Sequence, residues 1–382
     1  MNKLKKRIEK YKDKRKLKLV LLFSFTIIIS ISSYFYFRSI NSDIKAENVE
    51  KAPLSNVQPK KPDSKAETIT ITSVGDCTIG TDDKFSYLNS FPYVFKKNNS
   101  NYSYFFKNVA DIFKKDDLTT ANLETTFTNA TNKAVKTYNF KSSPDFSKVL
   151  TSSGIEAVNI SNNHIYDYLN QGYMDTKNSL SDAGIKYFGE GSFYITEIKG
   201  VKFGFLGYTG FSNSSSFLNK LKTDITSLKA QGCIVIINFH WGIEREYSPN
   251  ETQKQIAHFA IDNGADMIIG HHPHVIQGIE QYKNKIICYS MGNFCFGGNA
   301  NPSDKDTFIV QAIFNTENNK LKSYGIRVIP CSISSVSYTN DYCPTPMTGT
   351  KEENFLAKLN KLSPNAGFKI SKEFFLLNQQ AK

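Results

Sequence analysis

The sequence predicts an α/β fold for most of the chain, preceded by one transmembrane helix near the N-terminus. From Thr68 onward, short runs of β-forming residues alternate with amphipathic helical stretches. The run at residues 233–239 is apolar on both faces, as strands are when helices cover their sheet. The later part of the chain is richer in β runs, which favours mixed or paired sheets over a simple doubly wound sheet. A hydrophobic content of 40% in 382 residues is that of a globular protein.

The transmembrane prediction comes from residues 19–37, nineteen residues without a charge. As a helix they would span roughly 28 Å, close to the hydrocarbon thickness of a bilayer. Eight of the twelve net positive charges belong to residues 1–18, and such a flank keeps the N-terminus in the cytoplasm. We therefore expect an uncleaved signal anchor in the cell membrane, with the main domain extracellular. A cleaved signal peptide is the alternative, although the apolar run is long and no small-x-small cleavage site follows it.

The charge distribution also argues against a nucleic-acid binder, because the basic residues lie mostly in the predicted cytoplasmic tail and not in the folded part. Residues 38–67 are polar, contain prolines and lack an apolar period, which is typical of a flexible linker. We predict one folded domain over residues 68–345, followed by a peripheral segment, residues 346–382, with a helix around "KEENFLAKLNKL".

The elements of the domain follow from periodicity and from turn residues. Gly154, Gly232 and Gly264 end predicted helices, Asn250 is a predicted N-cap, and Lys199-Gly200 is a predicted hairpin turn. The predicted strands are, in chain order, TITITSV, LTTANLE, IEAVNIS, the hairpin YITEIKGVKFGFLGY, CIVIINF, DMIIG, IICYSMGNF and TFIVQAIF. The predicted helices are YFFKNVADIFKK, DFSKVLTSSG, GYMDTKNSLSDAG, FLNKLKTDITSLKAQG and NETQKQIAHFAIDNG.

Five of the β runs end in residues that can bind metal ions or transfer protons. Because ligands bind at the carboxyl ends of strands in α/β folds, we expect these residues to converge at one edge. If the segment after DMIIG is extended, His272 and His274 project to the same side and His271 to the other. We therefore expect His271 to be structural, like His258. The strand-end residues are Asp76, Glu124, Asn163 with His164, His240, and His272 with His274.

A mixture of imidazole, carboxylate and amide oxygen suits Mn, Fe or Zn, one or two ions, and the absence of a thiolate cluster argues against a structural zinc site. Taken singly, each residue has an ordinary alternative: a turn or capping aspartate at position 76, or a satisfied histidine at position 240. Free buried thiols are the expected state of Cys77, Cys233 and Cys288, which lie within or beside apolar runs, and Cys331 and Cys343 are the one pair that could form a disulfide.

Six blocks of the sequence, in order, resemble the capsule-synthesis protein family of poly-γ-glutamate producers, the CapA/PgsA type. The blocks are GDCTIG, ANLE, SNNHIYDYLNQG, NFHWGIEREYSPN, GADMIIGHHPHVIQGIE and YSMGNFCF. That family looks related to the calcineurin-like metallophosphoesterases. The resemblance therefore implies an α/β/β/α sandwich with a two-metal site.

The resemblance also implies roles for the strand-end residues. Asp76 and His274 would hold the first metal ion, and Glu124 would bridge in the place usually held by an aspartate. Asn163, His240 and His272 would hold the second ion, and His164 would be the general acid. The sequence departs from the phosphoesterase pattern at Thr78, where those enzymes have a histidine, which weakens the first metal position and the expectation of phosphoesterase activity.

Two functions remain as hypotheses. The first is a membrane-anchored extracellular protein of poly-γ-glutamate synthesis or export, working with a membrane synthetase complex and binding the anionic polymer at its metal site. The second is a cell-surface metal-dependent phosphoesterase or other hydrolase that acts on an envelope substrate without a synthase partner. In either case Glu244 and Arg245, which follow His240, are candidate substrate-binding residues, and Arg245 could pair with a carboxylate.

Overall fold

The computed structural model describes residues 66–378. The predicted cytoplasmic tail, signal anchor and nearly all of the linker lie outside these residues. Among the residues described, no helix is long and apolar enough to cross a membrane.

The described residues form seventeen strands, seven α-helices and two short 3-10 helices. The strands are β1 (Ala66–Thr78), β2 (Leu118–Leu123), β3 (Thr126–Phe127), β4 (Lys141–Ser142), β5 (Ala157–Asn159), β6 (Lys186–Phe188), β7 (Tyr194–Ile198), β8 (Val201–Thr209), β9 (Ile234–His240), β10 (Met267–His271), β11 (Ile279–Tyr282), β12 (Lys285–Cys288), β13 (Asn293–Phe296), β14 (Asp306–Glu317), β15 (Lys320–Ser332), β16 (Thr345–Pro346) and β17 (Phe375–Asn378). The α-helices are α1 (Phe91–Lys97), α2 (Ala110–Phe113), α3 (Ser147–Thr151), α4 (Leu169–Asp182), α5 (Ser215–Ala230), α6 (Glu251–Asp262) and α7 (Thr350–Leu362), and the 3-10 helices are Tyr102–Phe106 and Pro144–Phe146.

Most strands belong to two mixed sheets, as the sequence predicts. The first has the order β16-β15-β14-β1-β2-β5-β6, with β13 also paired to β1 and β17 to β15; the second has the order β11-β12-β10-β9-β8-β7. Strands β1, β2, β5 and β6 run parallel, as do β8, β9, β10 and β12, whereas the outer strands β7 and β11 are antiparallel. The carboxyl ends of the central strands therefore lie at one edge of each sheet.

The two sheets pack face to face, and helices cover their outer faces. The central core joins β1, through Ile69 and Ile71, to β8 and β14, whose Phe203 and Phe314 rings lie 5.2 Å apart. Helices α1 to α4 pack on the first sheet, while α5 and α6 pack on the second. The result is a four-layer α/β/β/α sandwich. Each fully buried Phe or Ile contributes about 1.5–3 kcal/mol relative to an exposed one.

Local signals placed several elements correctly. Asn250 caps α6, and its side chain accepts a hydrogen bond from the Gln253 backbone N–H while the Gln253 side chain accepts one from the Asn250 N–H. Lys199 and Gly200 form the turn between β7 and β8 with φ of 50° and 81°, as the favoured two-residue hairpin turns require.

Two of the predicted elements are divided in the structure. The stretch YFFKNVADIFKK is not one helix: it divides into a 3-10 helix and α2, a break that lets Phe105, Phe106 and Phe113 all face the core. The run IICYSMGNF is two strands, and the chain passes from the second sheet to the first through Gly292, whose φ is 70°.

The C-terminal segment is more integrated than the peripheral position predicted for it. Phe355 and Leu359 of α7 are buried in the core between the sheets, and β17 adds a strand beside β15. The amphipathic period of α7 predicted a helix, but not that its apolar face closes the open edge of this core. All six cysteines are buried and free, as predicted for Cys77, Cys233 and Cys288, and Cys331 is not bonded to Cys343.

Candidate metal centre

The fold brings the predicted strand-end residues to one edge. Asp76 lies two residues before the end of β1, Glu124 directly follows β2, and His240 is the last residue of β9. Two glycines make this convergence possible, because a Cβ at Gly75 would lie 2.1 Å from the Gly292 carbonyl oxygen and one at Gly270 would lie 1.9 Å from that of Tyr289. Only glycine allows the backbones to approach this closely immediately before Asp76 and the histidines of the β10 segment.

Glu124 is at the centre of the cluster. Its side chain is completely buried, and neither carboxylate oxygen has a hydrogen-bond partner among the described residues. Oε1 lies 3.4 Å from His240 Nε2 and 3.8 Å from His274 Nε2. Glu124, His272 and His274 each offer a ligand atom, and these atoms lie within 4.8 Å of one another. Burial, reinforced by the charge of Asp76, raises the pKa of Glu124 well above its ordinary value.

Asp76 is also fully buried, but both its oxygens are occupied by protein donors. Oδ1 accepts a hydrogen bond from Asn122 Nδ2 at 2.8 Å, and Oδ2 accepts one from the His272 backbone N–H at 3.1 Å. His271 Nδ1 lies 3.4 Å and His274 Nδ1 3.6 Å from these oxygens. Burial raises the pKa of Asp76, but the hydrogen bond and charge of His271, with the charge of His274, outweigh it and hold the pKa below its ordinary value.

His240 and Asn163 contact each other at the same edge. His240 Nε2 lies 2.8 Å from Asn163 Oδ1, and its Nδ1 lies 3.2 Å from Asn122 Nδ2, which donates. His240 therefore donates from Nε2 to Asn163. Burial, followed by the charge of His272, lowers the pKa of His240 well below its ordinary value, so the imidazole is neutral.

The segment from His272 to His274 is not extended, contrary to the prediction. His272 has φ of 96° and His274 φ of 57°, a region that costs about 1–3 kcal/mol for residues other than glycine. The hydrogen bond from the His272 N–H to Asp76 supports this turn. The ring of His271 faces Asp76 instead of pointing away from the cluster, while its Nε2 lies 3.0 Å from Asn238 Oδ1. The structural role expected for His271 stays a prediction.

His274 is oriented by a neighbour that the sequence did not suggest. Its Nδ1–H donates to Asn293 Oδ1 at 2.9 Å, which leaves the lone pair of Nε2 directed toward Glu124. A hydrogen bond at one ring nitrogen fixes the tautomer of a metal-binding histidine in this way. His272 Nδ1 is buried without a partner among the described residues, and burial, with the charge of His274, lowers the pKa of His272 to about 4.

His164 belongs to a second group beside the cluster. Its Nδ1–H donates to Asp167 Oδ2 at 2.7 Å, and Asp167, which is fully buried, also accepts from Lys136 Nζ at 2.7 Å. Lys136 donates as well to the Asn163 carbonyl oxygen at 2.7 Å. Burial lowers the pKa of His164 despite the opposing effect of Asp167.

Asn122 and Asp167 are functional residues that sequence reasoning missed. Asn122 stands two positions before Glu124, and the two-residue period of a strand would have placed both on one face. Asp167 follows His164 by three positions, a spacing at which a turn brings side chains together, but its role depends on the distant Lys136.

The donor set fits a divalent transition ion. A carboxylate without hydrogen-bond partners, the unpartnered nitrogen of neutral His272 and the lone pair of His274 are ligands that Mn, Fe and Zn accept. A cation among them would compensate the buried negative charge of Glu124. Thr78 is buried with its hydroxyl unpartnered among the described residues, and it offers no imidazole to Asp76.

A cleft of about 580 Å³ opens beside the cluster and is lined by His164, His274, Glu244 and Arg245. The Arg245 backbone N–H donates to the Pro273 carbonyl oxygen at 2.8 Å, which ties this loop to the histidine turn. Glu244 and Arg245 are exposed. The structure thus places both candidate substrate-binding residues at the cleft and outside the cluster.

Comparison with known families matches this region. The sequence model described as "Bacterial capsule synthesis protein PGA_cap" matches residues 70–298, which is more than half of the chain and includes every residue of the cluster. The chain belongs to this family. The resemblance to capsule-synthesis proteins of the CapA type is thereby confirmed.

Two of the relatives that this chain resembles carry the name CapA. The Capsule biosynthesis protein CapA of Bacillus anthracis is 27% identical over 315 residues, which cover 75% of this chain and 72% of that protein. The PGA biosynthesis protein CapA of Bacillus subtilis (strain 168) is 32% identical over 213 residues, 50% of this chain and 56% of that protein. Among solved structures, a purple acid phosphatase of yellow lupin aligns with a TM-score of 0.34 and 8% identity over 74% of this chain and 54% of its own. A likeness at that level carries no conclusion about function.

Proposed function

We propose that this chain is a membrane-anchored extracellular protein of poly-γ-glutamate capsule synthesis or export, and that its folded domain binds a divalent metal ion and acts on an anionic group. Membership of the PGA_cap family supports the capsule role. The uncharged residues 19–37 behind a basic flank support the anchor, with the N-terminus cytoplasmic. A membrane synthetase complex and the polymer itself are the proposed partners.

The observation that carries the metal site is the buried Glu124 carboxylate, which has no hydrogen-bond partner within residues 66–378 yet lies among histidines with low pKa values. Burying an unpaired carboxylate is so unfavourable that proteins pair such a group or bind a cation there. Glu124, His272 and His274 would hold the ion. A bound divalent ion would supply Lewis-acid stabilisation of charge on an anionic group.

The residues around the ion have separable tasks. Asp167 fixes His164 with its Nδ1 protonated, so Nε2 is the atom that can exchange a proton with a ligand in the cleft. Lys136 balances the buried charge of Asp167. Asp76 holds the histidine turn through the His272 N–H.

A second candidate is a cell-surface metal-dependent phosphoesterase or other hydrolase without a synthase partner. The pairing of His164 with Asp167 beside the cluster favours it, because such a pair can protonate a leaving group. The threonine at position 78 counts against it, since it removes one ligand of a two-metal site.

Metal analysis of the full-length protein in detergent tests the site. We expect the wild-type protein to bind Mn²⁺ and His272→Ala to lose most of it, while His258→Ala, whose ring pairs with Glu280 outside the cluster, keeps it. The single tryptophan, Trp241, follows His240, so quenching of its fluorescence by Mn²⁺ gives a second readout. Unchanged metal content in His272→Ala would contradict the proposed site.

Assays of the Mn²⁺-bound protein then distinguish the two proposed functions. Turnover of p-nitrophenyl phosphate that is lost in His164→Ala would favour the phosphoesterase. Binding of poly-γ-glutamate without phosphoester turnover would favour the capsule role alone.

A further inference from the structure

The cleft beside the metal centre is rich in aromatic and neutral polar side chains and poor in charge. Of its 24 lining residues, six are Phe or Tyr, and six more are Ser, Thr or Asn. Apart from histidines, the charged lining residues are Lys84 and Arg245, balanced by Glu244 and Asp304. The lining is therefore electrically neutral beyond the cluster.

Three of the aromatic rings form a continuous wall that starts at His164, which we call the aromatic wall: Phe140, Phe85 and Tyr138. The Phe140 ring lies 4.5 Å from the His164 ring. Phe85 lies 6.3 Å from Phe140 and 5.7 Å from Tyr138. Tyr138 is 48% exposed, so a large part of its surface is available to a ligand.

The exposed position of Tyr138 is fixed by its neighbours on both sides. Lys84 Nζ donates to the Thr137 carbonyl oxygen at 2.8 Å. The Asn139 N–H donates to the buried Asp82 carboxylate at 2.7 Å. The backbone that carries Tyr138 is thus held at the cleft although its ring gains little from burial, and pre-organised aromatic contact area of this kind favours binding.

The neutral lining disfavours a polyanion as the ligand of the cleft. A γ-glutamyl chain would bring one carboxylate per residue, whereas the lining offers two cations and as many carboxylates, so it has no excess of positive charge to bind such a chain. Aromatic faces together with Ser, Thr and Asn groups suit a ring that has apolar faces and hydroxyl edges, which is the chemistry of a sugar.

We propose that the cleft binds a phosphorylated sugar, with the phosphate at the metal cluster and the sugar ring against Tyr138 of the aromatic wall. This inference rests on the proposed metal function, because the cluster supplies the site for the phosphate. It makes Tyr138 a specificity-determining residue.

Binding to the full-length protein in detergent with Mn²⁺, measured by isothermal titration, tests the proposal with three probes. Glucose 1-phosphate carries phosphate and ring, glycerol 1-phosphate carries the phosphate without the ring, and a γ-glutamate oligomer carries only carboxylates. We expect glucose 1-phosphate to bind roughly threefold to tenfold more tightly than glycerol 1-phosphate, the range that one aromatic contact provides. Tyr138→Ala should abolish this preference and Tyr138→Phe should retain it.

Tyr338→Ala is the matched control, because Tyr338 is 78% exposed and is not among the lining residues. It should keep the wild-type preference. Equal affinity of the wild-type protein for the two phosphates, or tighter binding of the γ-glutamate oligomer that Tyr138→Ala leaves unchanged, would overturn the proposal while the metal function stands. Failure of both phosphates to bind, in a protein that also binds no Mn²⁺, would refute the proposed function and this inference with it.

Discussion

Replacing Glu124 by glutamine should have opposite effects on stability with and without metal. In metal-free protein the folded state buries the Glu124 carboxylate, which no group in the described part of the chain hydrogen-bonds, and its pKa is raised by burial and by the charge of Asp76. A raised carboxyl pKa means that stability is present at low pH and is lost as the pH rises through the folded-state value. Above that value Glu124→Gln removes the unfavourable charge, so the metal-free variant should be as stable as the wild type or more stable.

With metal bound, Glu124→Gln should instead be less stable than the wild type, because the variant lacks one of the metal ligands. A metal ion at one hundred times its Kd stabilises a folded protein by about 2.7 kcal/mol. For roughly 310 described residues the unfolding entropy is about 0.65 kcal/mol/K, so this stabilisation corresponds to a Tm increase of about 4 °C. We expect this increase in the wild-type protein and less than about 1 °C in Glu124→Gln.

Differential scanning fluorimetry of full-length protein, in EDTA and in Mn²⁺, measures both effects. Glu246→Gln is the control, because Glu246 is an exposed carboxylate outside the cluster, and it should keep the 4 °C response expected above. The reasoning fails if Glu124→Gln is strongly destabilised in EDTA, which would mean that the carboxylate has protein partners after all, or if it keeps the full response to Mn²⁺.

Two further substitutions test the surroundings of the site. Asp167→Ala removes the acceptor of the buried His164 ring and one acceptor of the partly exposed Lys136. It should lower the free energy of unfolding in urea by about 1–3 kcal/mol. A loss no larger than that of exposed Asp262→Ala, under about 1 kcal/mol, would contradict this role. Burial raises the pKa of Asp116 to about 6, so its ionisation lowers the stability of the folded state as the pH rises through 6. Asp116→Asn should therefore raise the free energy of unfolding at pH 8 by about 1–2 kcal/mol, after discounting for the partial exposure of Asp116. That gain should vanish at pH 4, where Asp116 is protonated in the folded state, and a gain that persists there would exclude ionisation as its cause.

Local sequence signals predicted several of the residues that meet at the site, because these residues lie where an apolar run stops. The strand ends at Asp76, Glu124 and His240 follow directly from the β pattern and from the rule that parallel strands share a carboxyl edge. The four-layer architecture followed from the family resemblance, since periodicity alone indicates only that the sheets are covered.

The remaining features depend on distant parts of the chain. The positive φ of His272 is supported by Asp76, almost two hundred positions earlier. The crossing between sheets at Gly292 and the packing of α7 on the core are likewise tertiary, because the segments involved read as an ordinary strand and an ordinary amphipathic helix. The period of the apolar residues predicts which face of a helix or strand is buried, but not which other element that face contacts.

The hydrogen bonds that each candidate metal ligand already makes indicate which of them are free to bind an ion. The family resemblance assigns Asp76 to one ion and Asn163 with His240 to another. In the structure Asp76 is occupied by Asn122 and the His272 N–H, and His240 and Asn163 are occupied by each other.

Among the described residues, Glu124, His272 and His271 keep buried side-chain atoms without a hydrogen-bond partner, and Glu124 and His272 form the possible metal-binding group with His274, whose Nε2 is free. A single ion at these three ligands satisfies every one of them without breaking a hydrogen bond. A second ion at Asp76 would share its oxygens with the donors of Asn122 and His272, and would find a threonine at position 78 where the phosphoesterase pattern has a histidine. The arrangement of hydrogen bonds therefore favours one tightly held ion, with Asp76 acting on it indirectly through the turn that carries His272 and His274.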